Sequence, residues 1–396
     1  MTIANSSLCT LDDVTILSAP GFAVTEIDGP GGHAYRRVRI GSHGAQPAGS
    51  WPLLVGANAD ALHSVDVEAG PLVEACDFSG NCDDFVNCHS TLHVLYAPRP
   101  HSPGAVAAGT DAPAAPGAMT ALIIDPRLVA LGTTPLEGRV DSWYGTSSPL
   151  ANSVAGDTIS CFLVNEKPRY KRGADSWRLW GAKLRLLAAP VEVRNESLLA
   201  SAAAVRLAVN KAGANPPLMA WKSLKLWRVE LAPVPGVAQP PIPQTATPAV
   251  ICDIDRFGGR GAVLRNNFFH DLGTSGGLRW KSSASLIAGN SIVRAGNASS
   301  AENGRATTGV EVSALQDWME VNSAACRHDM SLGWVSHDGA ASQGPAVIED
   351  VVIEGNRWVD CGLTAVPVTV QEHTQVTLRN NSITDVVRAA PHGNEE

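Results

Sequence analysis

Four segments in the last third of the chain share one pattern, in which alternating apolar residues lead into an asparagine. The aligned asparagines are Asn267, Asn290, Asn356 and Asn381. The first two are 23 residues apart and the last two are 25 apart, while the gap of 66 between them fits three units of 22 or fewer units with an inserted loop. A unit of this length is too short for a strand, a helix and a second strand. It favours a solenoid whose coils are short strands joined by bends.

The recurring asparagines also predict how the coils are held together. Stacked coils place equivalent residues about 4.8 Å apart, which is the normal spacing of neighbouring strands. The side-chain amides are then expected to bond to one another as an internal ladder, because a buried amide without a partner is costly. The alternative is a set of surface turn asparagines with chance spacing, which does not account for the matching apolar flanks.

The N-terminal part of the chain fits the same coil. Residues 13–17 and 35–40 resemble strands one coil apart, and residues 70–78 resemble another strand. The pattern begins near residue 11 without an obvious cap, although solenoids need capped ends. We therefore expect that N-terminal coils present in a complete relative are missing here.

A region of different character separates the two solenoid parts. Residues 97–118 are rich in Pro, Ala and Gly and are predicted to form a loop, while 198–209 could be a short helix. Further strands are predicted at 120–124, 157–163 and 224–231. The predicted fold is all-β, a right-handed parallel β-helix over 1–100 and 250–390 with an antiparallel β-barrel-like domain inserted over 101–249.

Gross composition excludes some classes of partner. The net charge of −8 and the pI near 5.8 leave no basic surface for nucleic acid. No run of 18 apolar residues predicts a transmembrane helix, and the first residues lack the basic and apolar regions of a signal peptide. The eight cysteines include no C-x-x-C pair, so we expect buried core thiols rather than zinc ligands, with a disulfide left open.

Three aspartates are placed for acid–base chemistry. Asp60 and Asp83 are 23 residues apart, which is one coil by the asparagine spacing, so Asp60 is expected to stack beside Asp83 or Asp84. Successive residues of a strand face opposite ways, so Asp83 and Asp84 can share a cleft only at a bend, which Gly80 and Asn81 suit. Clustered carboxylates push their pKa values apart, so that one can act as an acid and another as a base.

Two other interpretations of these aspartates remain open. Aspartates are common in turns between strands, and such residues need no function. Clustered carboxylates also suit a hard cation such as calcium. The repeat spacing, with His63 and His89 at short offsets from the aspartates, favours a catalytic cluster over both.

The segment from Asn58 to Leu95 resembles the inverting α-1,3-galactosidases with a parallel β-helix fold. Those enzymes carry an N-x-D-x-x-H-S stretch and, one coil later, a D-D-x-x-N-x-H segment that leads into an inserted β-barrel. The matching residues here are Asn58, Asp60, His63, Ser64, Asp83, Asp84, Asn87 and His89. Weaker matches follow at Gly156-Asp157-Thr158, Gly259-Arg260-Gly261 and Trp318-Met319-Glu320. The chain departs from the pattern at Ala61, where the family has glycine, and at Cys88.

The resemblance implies an exo-acting α-galactosidase that needs no cofactor or metal and acts on glycans with a terminal α-linked galactose. Asp60, Asp83 and Asp84 would be the catalytic carboxylates, and a water would attack the anomeric carbon with inversion. It also implies an extracellular or secretory location. The residues expected to bind the substrate are Asn58, His63, Asn87, His89, Arg260, Trp318 and Glu320.

Two rival functions share the predicted fold. A polygalacturonase-like pectin hydrolase also stacks an N-x-D coil under a D-D coil, but that family adds a G-H-G and an R-x-K motif. Here only Arg279-Trp280-Lys281 is a loose match to the second motif. The other rival is a non-catalytic carbohydrate-binding β-helix. Fold alone does not separate these functions.

Overall fold

The structure is a computed structural model of the chain. It describes residues 1–42, 55–91, 93–100, 117–125, 148–164, 180–194, 225–237, 249–271, 277–295, 310–312, 348–361, 368–370 and 374–384. The chain divides into two compact units. The first comprises Met1–His89, Phe257–Ala314 and Ile348–Glu396, and the second comprises Ser90–Arg256 and Leu315–Val347.

The secondary structure of the described residues is almost entirely β. The first unit begins with β1 (Thr2–Ala4), β2 (Thr10–Asp12), β3 (Thr15–Leu17), β4 (Val24–Ile27), β5 (Ala34–Arg36), β6 (Arg39–Gly41), β7 (Leu62–Val65), β8 (Leu72–Glu74), β9 (Asp77–Ser79) and β10 (Val86–His89). The second unit contains β11 (His93–Pro100), β12 (Met119–Asp125), α1 (Pro149–Asn152), β13 (Thr158–Val164), β14 (Trp180–Leu186), β15 (Val191–Glu192), β16 (Lys225–Pro233) and β17 (Ala249–Ile254). The first unit resumes with β18 (Val263–Arg265), β19 (Phe268–His270), β20 (Leu278–Trp280), β21 (Leu286–Ala288), β22 (Ser291–Val293), β23 (Val310–Val312), β24 (Ile348–Glu354), β25 (Arg357–Val359), β26 (Val368–Val370), β27 (Thr374–Arg379) and β28 (Ser382–Thr384).

The strands of the first unit form three parallel sheets. Sheet 1 has the order β1-β4-β7-β10-β20-β23-β26, sheet 2 has β2-β5-β8-β18-β21-β24-β27, and sheet 3 has β3-β6-β9-β19-β22-β25-β28. The chain therefore visits sheets 1, 2 and 3 in turn and repeats that cycle. The predicted all-β class with parallel pairing is confirmed.

The second unit is antiparallel. Its strands pair in the order β12-β11-β17-β13-β14-β16-β15, and β12 also pairs with β16, so that six of the described strands form a closed ring of pairings. The predicted strands at 120–124, 157–163 and 224–231 correspond to β12, β13 and β16. No helix among the described residues is both long and apolar enough to cross a lipid bilayer.

A bend between sheets 2 and 3 explains the recurring asparagine motif. The residue at each such bend has a left-handed φ, including +57° at Asn266 and +62° at Gly289. Gly and Asn tolerate this conformation better than other residues do. The ladder asparagine follows directly, which is why the repeat contains Asn-Asn or Gly-Asn pairs.

The predicted asparagine ladder is confirmed by its hydrogen bonds. Asn267 Nδ2 donates to Asn290 Oδ1 at 2.9 Å, Asn290 Nδ2 donates to Asn356 Oδ1 at 2.9 Å, and Asn356 Nδ2 donates to Asn381 Oδ1 at 3.0 Å. Each of these amides also donates to a carbonyl of the preceding coil, as Asn290 Nδ2 does to Leu264 O. Because Asn290 bonds directly to Asn356, the gap of 66 residues is one coil step with an inserted segment.

The core of the first unit comes from the middle residues of the short strands. Sheet 2 stacks Val73, Leu264, Ile287 and Ile353 in register, and all are fully buried. Sheet 3 stacks Phe78, Phe269, Ile292 and Trp358 in the same way. Rows of identical depth bury apolar area along the whole stack, which stabilises each coil against its neighbours.

Three predictions about local structure are wrong. The coil pattern begins at Thr2 rather than near residue 11, because β1 pairs with β4. The run at 35–40 is split into two strands by Arg37, whose φ is +51°. Strand β11 continues to Pro100 instead of becoming a loop at 97. Its pairing with β17 ends at Leu95, and beyond that point prolines cost no hydrogen bond on that side. The segments at 101–116 and 198–209 lie outside the described residues.

Candidate active site

Asp60 and Asp84 occupy equivalent positions on consecutive coils. The register pairs Leu62 with Val86, so the coil step is 24 residues here and Asp60 aligns with Asp84 rather than with Asp83. The Ala61 N–H donates to Asp84 O at 3.0 Å, which continues the pairing ahead of the strands. The Asp84 N–H donates to Asp60 Oδ1 at 3.1 Å. The prediction that Asp60 stacks beside the Asp83-Asp84 pair is confirmed.

The predicted bend before β10 is also present. Gly80 has a φ of +66°, in the left-handed region, and Asp83 and Asp84 follow before the strand begins. Asp84 and Asp60 are buried at 2% exposure, whereas Asp83 is exposed. One carboxylate oxygen from each of the three aspartates lies within 4.8 Å of the others. The sequence therefore brings three carboxylates together at one end of sheet 1.

Two histidines extend the cluster along sheet 1. His63 Nδ1 lies 2.7 Å from Asp60 Oδ2, and His63 Nε2 lies 3.1 Å from His89 Nε2. The His63 ring stacks on Phe22 with a centroid distance of 4.3 Å and meets the His89 ring edge-on at 4.9 Å. Both histidines are buried, at 4% and 2% exposure. Their ring orientations are therefore fixed by contacts on several sides.

Arg279 is a site residue that the sequence analysis recognised only as part of a loose motif. Its Nε lies 3.1 Å from Asp84 Oδ2 and 3.2 Å from Asp84 Oδ1, and the two side chains are 9% and 3% exposed. The register of β10 with β20 pairs Asn87 with Arg279. A buried guanidinium beside a carboxylate stabilises the ionised form of that carboxylate. Asp84 is thus held as an anion.

The next residues of these strands face the interior and form a second polar network. Ser64 Oγ donates to Glu26 Oε1, and Tyr35 Oη donates to Glu26 Oε2 at 2.9 Å. Glu26 is fully buried, and burial raises its pKa to about 7 despite these two hydrogen bonds, which lower it. Ser64, which is part of the sequence motif, therefore contacts Glu26 in the core, on the opposite face of β7 from His63. Cys88 also faces the core, where burial raises the pKa of its thiol.

The remaining predicted binding residues lie in different places. Asn87 is buried in the row between His63 and Arg279, and Asn58 is exposed just ahead of Asp60. Arg260 is exposed and pairs with Ala69, beyond the ends of the sheet 1 strands, whereas Asp60 and Asp84 precede those strands. Trp318 and Glu320 lie outside the described residues.

The three clustered carboxylates have a spacing that a divalent cation could bridge. Arg279 already supplies positive charge to Asp84, and His63 contacts Asp60. These partners account for the proximity of two of the carboxylates, so the cluster alone does not indicate a cation. Among the described cysteines all seven are free thiols, which gives no disulfide near the site.

Comparison with known proteins adds no name. The chain matches no protein-family model and no curated protein.

Proposed function

We propose that the chain is a glycoside hydrolase built on a right-handed parallel β-helix, and that it removes terminal α-linked galactose in the manner of the α-1,3-galactosidases. The cyclic order of the three parallel sheets supports the β-helix, because one coil that returns to each sheet in turn produces this order. The coils are taken as right-handed because crossovers between parallel strands almost always are. The ring of antiparallel pairings supports the proposed β-barrel-like insertion.

The observation that carries the proposed activity is the cluster of Asp60, Asp83 and Asp84 with oxygens within 4.8 Å of one another. Glycosidic cleavage needs one carboxyl group as an acid and another as a base or nucleophile. Carboxylates this close cannot all ionise equally, which favours different protonation states. The resemblance of residues 58–90 to the α-1,3-galactosidases supplies the sugar and the linkage.

The stereochemical outcome is the least supported part of the proposal. Inverting glycosidases usually hold their two carboxyl groups about 6.5–9.5 Å apart, and retaining enzymes about 5–5.5 Å. The spacing of 4.8 Å is a distance between nearest oxygens and so a lower bound on the separation of the carboxyl groups. We propose inversion on the resemblance alone.

A substrate panel tests the activity. Purified protein is incubated with Gal-α-1,3-Gal, with α-1,4- and α-1,6-linked galactosides and with polygalacturonate, and released sugar is quantified. We expect galactose from the α-1,3 linkage. Asp83→Asn and Asp84→Asn should each lower that rate by about 10²–10⁴-fold without unfolding the protein. A folded wild-type protein that is silent on every α-galactoside would contradict the proposal.

One observation favours the pectin hydrolase as the second candidate. Arg279 and Lys281 are both buried, and they lie two residues apart, so alternation along the chain places them on one face beside the carboxylates. A uronic acid substrate needs positive charge at such a position. Against this, Arg279 already contacts Asp84 at 3.1 Å. Cleavage of polygalacturonate but not of galactosides would select this candidate, and silence on all glycans would favour a non-catalytic carbohydrate-binding protein.

A further inference from the structure

The two site histidines face each other through the same ring atom. His63 Nε2 and His89 Nε2 are 3.1 Å apart, which is a hydrogen-bond distance. A neutral imidazole carries one N–H, and two N–H groups cannot point at each other across such a distance. One Nε2 therefore donates and the other accepts. The position of this proton fixes the position of the other proton on His63.

The contact on the far side of His63 decides between the two arrangements. His63 Nδ1 lies 2.7 Å from Asp60 Oδ2, and Asp60 Oδ1 already accepts a hydrogen bond from the Asp84 N–H. A carboxylate that accepts hydrogen bonds is stabilised in its ionised form. A neutral His63 must then carry its proton on Nδ1, where it donates to Asp60. Its Nε2 is left as the acceptor, and His89 is the donor.

We propose that His89 is a positioning residue that fixes the Nδ1–H tautomer of His63 and thereby holds Asp60 as a carboxylate, which makes Asp60 the base of the site. The inference rests on the proposed function for the word base, but the tautomer it requires is a property of the resting protein. The role resembles that of partners which orient catalytic or metal-bound histidines through their second ring nitrogen.

The charged groups around the histidine pair are consistent with this assignment. Among the described residues, Asp60 and Asp84 precede β7 and β10, Arg279 comes from β20, and Lys281 follows it. Thr25 of β4 is the neutral neighbour of His63 on the other side. Arg279 pairs with Asp84 and not with Asp60, so the histidine pair is the polar partner that the structure gives to the Asp60 Oδ2 atom.

The assignment also separates the roles of the other two aspartates. Asp84 is held ionised by Arg279, and Asp60 by His63 and the Asp84 N–H. Asp83 lies within 4.8 Å of both anions and is exposed. Two neighbouring negative charges favour the protonated form of a third carboxyl group. Asp83 is therefore the acid that protonates the leaving oxygen, while Asp60 takes one proton from the attacking water as the water oxygen bonds to the anomeric carbon.

The direct test is the tautomer of His63 in the folded protein. Imidazole ¹⁵N and ¹H NMR spectra of uniformly labelled protein distinguish protonated from unprotonated ring nitrogens, and a spectrum of His63→Gln assigns the signals. We expect His63 protonated at Nδ1 and His89 protonated at Nε2 at neutral pH. A His63 ring protonated at Nε2 would overturn the inference. This measurement needs no substrate, so it can fail or succeed independently of the galactosidase activity.

Variants of His89 test the consequence for Asp60. His89→Phe keeps a ring but removes the donor, while His89→Gln retains an N–H donor. We expect the acid limb of the kcat/KM profile to move to higher pH by about one unit in His89→Phe, because His63 can then take its proton on Nε2 and accept at Nδ1. His89→Gln should stay within a few tenths of a unit of wild type. His33→Gln, which replaces a buried histidine whose Nδ1 accepts from the Cys9 N–H, should leave the profile unchanged.

The outcomes are separable. An active His89→Phe protein with an unchanged acid limb would overturn the positioning role. If His89→Phe does not fold, the wild-type NMR spectrum and the His89→Gln profile still decide the question. If the wild-type protein hydrolyses no glycan, the proposed function fails, while the His63 tautomer is still confirmed or contradicted by NMR.

Discussion

The buried carboxyl group of Glu26 makes the stability of the first unit depend on pH. Burial raises its pKa from the ordinary 4.5 to about 7, because the charged form loses its hydration in the core. Each pH unit by which a pKa differs between folded and unfolded chains corresponds to about 1.4 kcal/mol, so the full effect is about 3 kcal/mol. The folded chain binds the proton more tightly. The stabilising contribution is therefore complete below pH 4.5 and is lost as the pH rises through about 7.

Glu26→Gln replaces this group with a neutral side chain of the same shape. We expect the variant and the wild type to have similar free energies of unfolding at pH 4.5. The variant should become more stable than wild type by about 3 kcal/mol at pH 8.5, because wild type then carries an ionised buried carboxylate. Urea denaturation followed by circular dichroism at half-unit pH steps measures the difference. A difference that stays constant across this range would refute the reasoning.

A second variant checks the cause. The Ser64 hydroxyl donates to Glu26 and favours its ionised form, so Ser64→Ala should move the midpoint of the pH dependence to higher pH. In the Glu26→Gln background the same substitution should have no pH-dependent effect. A midpoint that stays in place in Ser64→Ala would show that the hydrogen bond does not act on Glu26.

Three further predictions concern other features of the first unit. Asn290→Ala removes two donated and two accepted side-chain hydrogen bonds in the core and should lower the free energy of unfolding by about 3–5 kcal/mol, against about 1–2 kcal/mol for Asn381→Ala at the last rung of the described ladder, both measured by urea denaturation. Equal losses would contradict the ladder. Ala75→Gly should raise the free energy of unfolding by about 0.5–1 kcal/mol, because Ala75 is exposed with a φ of +53°, while Ala288→Gly within β21 should lower it by a similar amount; the same sign for both would argue against backbone strain. Arg279→Met should destabilise the protein by about 3–5 kcal/mol by leaving a buried carboxylate unpaired, with recovery at low pH in calorimetry as that carboxylate is protonated, and a loss that persists at low pH would point to packing instead.

Much of the repeating architecture could be predicted because it depends on local rules. A bend that needs a left-handed residue, followed by an amide that must find a partner, repeats as Asn266-Asn267 and Gly289-Asn290 in the sequence. The same spacing placed Asp60 beside the Asp83-Asp84 pair. The offset of 24 instead of 23, which decides between the last two, depends on one extra residue in the bend and could not be read from the asparagine spacing.

The residues that the sequence analysis missed are joined by long-range contacts. Arg279 is 195 residues from Asp84, and only the return of the chain to sheet 1 after the second unit brings them together. Its sole sequence signal was the loose Arg-x-Lys match. Glu26 is a single acid within the apolar run Val24–Ile27, and its partners Tyr35 and Ser64 lie on other strands. No local pattern indicates which face of a strand such a residue occupies.

The most direct test of the account is a ¹H NMR time course of Gal-α-1,3-Gal hydrolysis by the wild-type protein. The account predicts release of galactose with the β-anomer appearing first, a rate lower by about 10²–10⁴-fold in Asp84→Asn, and an unchanged rate in Asp77→Asn on sheet 3. First appearance of the α-anomer would contradict inversion. No release by a folded wild-type protein, or an equal rate in Asp84→Asn, would contradict the assignment of the aspartate cluster as a galactosidase site.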